Sequence, residues 1–108
     1  MSIDASRALL LKSVTERDWQ GYVVALARLH GWLVYHPLDS RGSTAGYPDL
    51  TMVRDGRLVV AELKSMAGKV SVAQEQWLAA FGAVPGVLAD VWRPSDRTTV
   101  DQILKGDR

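Results

Sequence analysis

The 108-residue chain contains no cysteine. That excludes disulfide staples and thiolate metal sites, and it fits a reducing cytoplasm. Long apolar runs are also missing: Ala8-Leu9-Leu10-Leu11 is far too short for a signal-peptide core or a membrane span. A soluble protein with no membrane partner, cytoplasmic in a bacterial or phage-infected host cell, is expected. Neither sign of charge is in excess, since thirteen Lys and Arg stand against twelve Asp and Glu for a net charge of +1. Global charge therefore neither favours nor opposes a nucleic-acid partner, and any such contact needs a local basic patch. Repeats, linkers and low-complexity tracts are absent, as are a P-loop, a nucleophile elbow, zinc-ligand spacing and a dinucleotide fingerprint. What remains is an ordinary globular composition, 47% hydrophobic and 23% charged, over a length that suits one domain with a modest core.

Residues 1–12 read as a loosely ordered lead-in carrying Arg7 and Lys12. A helix follows, capped by Ser13 or Thr15 and running to His30, with Gly31 as its stop. Trp19, Tyr22, Val23, Leu26 and Leu29 recur at three- and four-residue steps and make one buried stripe. Residues 32–36 form a strand closed by Pro37, and 38–47 a polar loop rich in Ser, Thr and Gly. Two β-forming runs then flank Asp55-Gly56, a strong hairpin signal. Thr51, Val53, Leu58 and Val60 line one face of that hairpin; Leu50, Met52, Val59, Ala61 and Leu63 line the other. A sheet apolar on both faces needs cover on both, which predicts a three-layer α/β sandwich. Ser71 caps a second helix through Phe81 with Trp77, Leu78 and Phe81 inward, residues 87–92 form a last strand, and 97–104 a short terminal helix. The predicted order is αβββαβ with a helical tail.

Hairpin geometry brings chemistry together. With Asp55 and Gly56 as the loop, Arg54 faces Arg57 and, counting outward, Asp49 faces Glu62. Opposed Cβ atoms lie roughly 4.5–5.5 Å apart, so the two carboxylates converge, and Lys64 projects from the same face two residues on. Like charges that close repel, and a divalent cation is the natural compensation. Mg2+ takes one or two carboxylates plus substrate phosphate and keeps several waters, and the Leu63 carbonyl lies between the two strand residues as a further oxygen. Lys64 beside the ion would orient or deprotonate a water, or stabilise charge on a phosphate. The competing reading is a solvent-facing cross-strand salt bridge.

The supporting residues each carry two readings. Glu16 is either a third carboxylate at the cation or the partner of Ser13 in a capping box. Gln20 shares its helix face and would point at the same site. Gln74 either closes a capping box with Ser71 or supports the site, with Lys69 adding positive charge before a helix N-terminus that favours phosphate. Arg41 and Ser43, in the polar loop, suit phosphate contacts or a plain solvated surface. His36 reads as structural, and the four tryptophans as core.

The pattern P-D-x(12)-E-x-K at Asp49, Glu62 and Lys64 resembles the PD-(D/E)xK nucleases, and more narrowly the VRR-NUC family. Thr15-Glu16-Arg17-Asp18-Trp19-Gln20, Gly46-Tyr47-Pro48-Asp49-Leu50, Ala61-Glu62-Leu63-Lys64-Ser65, the stretch from Gly68 to Leu78 and Val91-Trp92-Arg93-Pro94 carry the resemblance in order, over about residues 14–96. It implies a restriction-endonuclease-like domain over 13–108 and phosphodiester hydrolysis dependent on Mg2+, with Mn2+ able to substitute. It further implies metal binding by Glu16, Asp49 and Glu62, a catalytic Lys64 and a supporting Gln74. Standalone members of this size, often phage-encoded, resemble homodimeric Holliday-junction resolvases. With nothing beyond the bare domain, substrate-recognition elements are expected from a second copy or a partner. The expected activity is a structure-selective DNA endonuclease; a non-selective DNA-degrading or defence nuclease and a non-catalytic DNA-binding module are the alternatives.

Overall fold

The computed structural model describes residues 2–37 and 44–106. The chain order is α1 (Ile3–Ser13), α2 (Glu16–Leu29), β1 (Leu33–Tyr35), β2 (Leu50–Arg54), β3 (Arg57–Leu63), α3 (Val72–Gly82), β4 (Val87–Trp92), a 3-10 turn at Pro94–Asp96, and α4 (Arg97–Lys105). The four strands form one mixed sheet in the order β1-β2-β3-β4, antiparallel except for the parallel β3/β4 pair. From α2 to β4 the order is the expected αβββαβ, and the predicted hairpin forms in the predicted register, from Arg54 opposite Arg57 to Leu50 opposite Ala61. Asp55 and Gly56 have φ of 51° and 76°. Two consecutive positive φ values define the mirror-image type I′ turn, whose twist matches that of the strands it joins.

Leu50, Met52, Val59, Ala61 and Leu63 project from one face of the sheet into the main core. They meet Trp19, Val23 and Ala27 of α2 and Val100 and Leu104 of α4 there. On the other face α3 lies against β3 and β4, and Val60 is fully buried. Beside it Tyr47 meets Trp77 and Phe81 edge to face, and those two rings are tilted on each other. The three-layer sandwich is thus realised over β3 and β4 only. Over β1 and β2 the second face is open: Leu33 is 76% exposed, its ladder partner Val53 43% and Tyr35 62%.

The N-terminal segment departs from expectation. It is a helix, not a loose lead-in, started by Ser2, whose Oγ accepts the Ala5 N–H, with Asp4 in its first turn and Lys12 in its last. No residue of α1 is buried, so local capping, charge placement and helix-forming residues hold it. This helix claims Ser13, whose hydroxyl donates to the Leu10 carbonyl. Thr15 alone caps α2, accepting the Asp18 N–H at 3.0 Å. The Ser13–Glu16 capping box therefore does not form. Trp32, expected in the first strand, lies just before it and donates its indole N–H to the Leu104 carbonyl at 2.8 Å. Among the described residues no helix is long and apolar enough to cross a membrane.

Arg54 closes the far end of the core. Only 6% exposed, it donates from Nη1 to the carbonyls of His30 (3.0 Å) and Leu104 (2.8 Å), and its guanidinium lies 4.7 Å from the Trp32 ring centre. Those carbonyls sit at the C-terminal ends of α2 and α4, where a cation meets the negative end of each helix dipole. Arg54→Met takes this donor from both carbonyls, leaving the Leu104 carbonyl with the Trp32 indole N–H alone, and should destabilise the fold by about 3 kcal/mol, measured by urea denaturation.

Candidate active site

The open end of the hairpin carries the site. Beyond the last ladder pair, Asp49 Oδ2 accepts the Leu63 N–H at 2.8 Å, a side-chain bond that extends the pairing and locks Asp49 to β3. The approach to Asp49 is held as firmly. Gly46 has φ of 84°, and a Cβ there would collide with the main chain of Ala73, so only glycine lets this loop abut the start of α3. Trp77 donates its indole N–H to the Ala45 carbonyl, the Tyr47 hydroxyl pairs with the Thr51 hydroxyl, and Pro48 is fully buried.

Glu62 is 2% exposed. Burial, first, then its hydrogen bond with Asp49 and the negative charge of that neighbour push its carboxyl up to about 9 from an ordinary 4.5. Lys64 pulls the other way and Glu16 adds to the rise. Glu62 Oε2 is buried and has no hydrogen-bond partner among the described residues. A buried acceptor left without a donor is costly, and its position beside a second carboxyl describes a place suited to a cation.

Lys64 is positioned by the main chain around it. Its N–H donates to the Trp92 carbonyl at 3.1 Å, which also accepts the Trp19 indole N–H at 2.9 Å. Arg93 Nη1 donates to the carbonyls of Ser65 and Gly68, both at 2.7 Å, clamping the turn that follows. Sequence reasoning placed Trp19 in the core only and gave Arg93 no role, because both act on carbonyls from distant segments.

Asp49, Glu62, Lys64, Glu16 and Gln74 all line one cavity of about 790 Å3. Glu16, freed from capping, is the first residue of α2 and exposed at the rim. Among the described residues no three Asp, Glu or His side chains come together closely enough to hold a metal, so Glu16 stands apart from the Asp49–Glu62 pair. Gln74 satisfies both of its readings: its Oε1 accepts the Ser71 N–H in a complete capping box, and its side chain lines the cavity. With that oxygen engaged, only its amide N–H groups are free to act, as donors. Lys69 is exposed and does not line the cavity. Gln20 and His36 pair at 3.4 Å and line a separate, smaller cavity. Arg41 and Ser43 lie outside the described residues.

No protein-family model, curated protein or solved structure matches the chain.

The raised Glu62 has a stability consequence of definite sign. Between about 4.5 and about 9 the folded chain holds a proton that the unfolded chain has released, so unfolding free energy falls as pH rises through that window. In chelator, Tm should decline from pH 5 to pH 9. Glu62→Gln should flatten that decline and raise Tm at pH 8, as thermal melts across pH would record.

Proposed function

We propose that the chain is a divalent-metal-dependent DNA endonuclease with a restriction-endonuclease-like core of the VRR-NUC kind. The observation that carries this reading is the buried, unpartnered Glu62 oxygen beside Asp49, with Lys64 in the same cavity. The αβββαβ order supports the fold assignment. The paired carboxylates fit a hard cation: Asp49, Glu62 and the Leu63 main-chain carbonyl would hold Mg2+ or Mn2+, with Glu16 reaching it through water. Such an ion lowers the pKa of a bound water and neutralises charge on a phosphate. The chain's own residues supply the remainder. Lys64 orients the attacking water or donates to a phosphate oxygen, and the Gln74 amide donates into the cavity. Half-buried Tyr47 and fully buried Pro48 exclude bulk solvent on one side.

Structure selectivity and a homodimer belong to the same proposal. The uncovered strip of Leu33, Tyr35 and Val53 reaches the cavity through Tyr35 and offers a second copy an apolar surface. A twofold dimer with two sites suits cleavage of two strands in a branched junction. The cytoplasm of a bacterial or phage-infected cell supplies both DNA and Mg2+.

The test incubates purified protein with labelled four-way junction and linear duplex in Mg2+, Mn2+ or EDTA. Cleavage should need the metal and favour the junction, and Mg2+ should raise Tm. Asp49→Asn and Lys64→Ala should each lower the rate by about 10²–10⁴-fold while remaining folded. Cutting in EDTA, or no cutting of any DNA, overturns the reading. Equal cutting of both substrates favours a degradative nuclease, and a DNA-linked function untouched by Asp49→Asn favours a binding module.

A further inference from the structure

The second cavity, about 380 Å3, runs along the outward face of α2 and is lined by Arg17, Gln20, Gly21, Arg28 and His36 among others. Residues 17, 20, 21 and 28 fall on one helix face at three-, four- and seven-residue steps. Both arginines are exposed, and neither has an ion-pair partner among the described residues. Among the described residues no Asp or Glu lines this cavity. Arg17 and Arg28 lie about 16 Å apart along the axis, far enough to engage separate phosphates, and each presents a guanidinium fork that matches one.

Gly21 lies between them. A glycine inside a helix weakens it relative to alanine, and close packing within the chain is the usual reason to find one. Here a Cβ would meet nothing within 4 Å among the described residues, and the residue has no positive φ. Gly82 is equally uncrowded but is the last residue of α3, where a glycine ends a helix. Nothing among the described residues calls for glycine at 21, and a bare helix surface there leaves room for a backbone from outside to lie close.

The cavity also adjoins the carboxylate site. Glu16 and Arg17 are consecutive and line the first and second cavities respectively; Tyr35 and Pro37 line the first while His36, between them, lines the second. We propose that this face of α2 holds the phosphodiester backbone of the DNA flanking the cleaved bond. Arg17 and Arg28 each take a phosphate, Gln20 and His36 donate between them, and Gly21 lets the strand lie close against the helix. The inference rests on the nuclease reading and extends it by naming the path of the substrate.

Fluorescence anisotropy with labelled duplex and four-way junction, in the cleavage-blocked Asp49→Asn background and from about 50 to 200 mM salt, tests it. The Arg17→Gln/Arg28→Gln pair should weaken binding at least tenfold at the low-salt end and reduce the slope of log affinity against log salt by about 2, since each B-DNA phosphate contact contributes about 0.9. Gly21→Leu should weaken binding severalfold while Tm holds or rises, and Gly21→Ala should raise Tm. Unchanged affinity and slope in the arginine pair, with wild type still cutting DNA, overturn this inference and leave the nuclease reading standing. Gly21→Leu binding as wild type does overturns the close approach. Effects confined to RNA of the same sequence overturn the DNA assignment. Wild type that neither binds nor cuts DNA overturns the nuclease reading, and this inference with it.

Discussion

The type I′ turn at Asp55-Gly56 is the constraint from which the site follows. Two residues with positive φ permit one register for the hairpin, and that register alone sets Asp49 against Glu62. A slip of one residue would exchange the faces of β3, turning Glu62 into the apolar core under α2 and moving Ala61 to the cavity. The apolar alternation of Leu50, Met52, Val59, Ala61 and Leu63 penalises that slip at every position. Register is therefore determined twice, by the turn and by the core, and the two determinations agree.

Around that hairpin, carbonyl groups act as the fixing points. The Trp92 carbonyl gathers N–H groups from α2 and from the residue after β3; Arg93 gathers the carbonyls of the following turn; Arg54 gathers the ends of α2 and α4. Each bond joins segments far apart in the chain. They hold the backbone at Lys64 and the start of α2 relative to the sheet, so the cavity's charged groups are placed by a rigid surround. The cost is visible at Glu62, whose buried, unpartnered oxygen and raised pKa mark a site arranged for something other than stability.

The electrostatics divide along the same line. One cavity holds Glu16, Asp49 and Glu62 with Lys64; its neighbour across α2 holds Arg17 and Arg28 and, among the described residues, no acid. A chain of net charge +1 thus carries a hollow lined by three carboxylate residues and a lysine beside one lined by two arginines. The near-zero total hides both, which is why bulk charge said nothing about a partner.

Signals confined to a few adjacent residues were legible in the sequence. The Asp-Gly turn, the Ser71–Gln74 cap, the alternation of the hairpin and the juxtaposition of Asp49, Glu62 and Lys64 depend on local dihedrals and on a period of two, both of which are written in consecutive positions. The helix α1 was not legible, because it has no apolar stripe and is held by a cap at Ser2; by claiming Ser13 it also resolved the choice of cap before Glu16. The half-covered second face of the sheet, the burial of Glu62 and Arg54, and the meeting of α2, the end of β1 and the start of α3 at the hairpin's open end were decided only by tertiary structure. Burial is a property of what lies opposite a side chain, and what lies opposite these comes from residues tens of positions away. The sequence by itself determined which groups share a face; packing alone decided which of them are taken out of water, and so where a carboxyl is left without a partner.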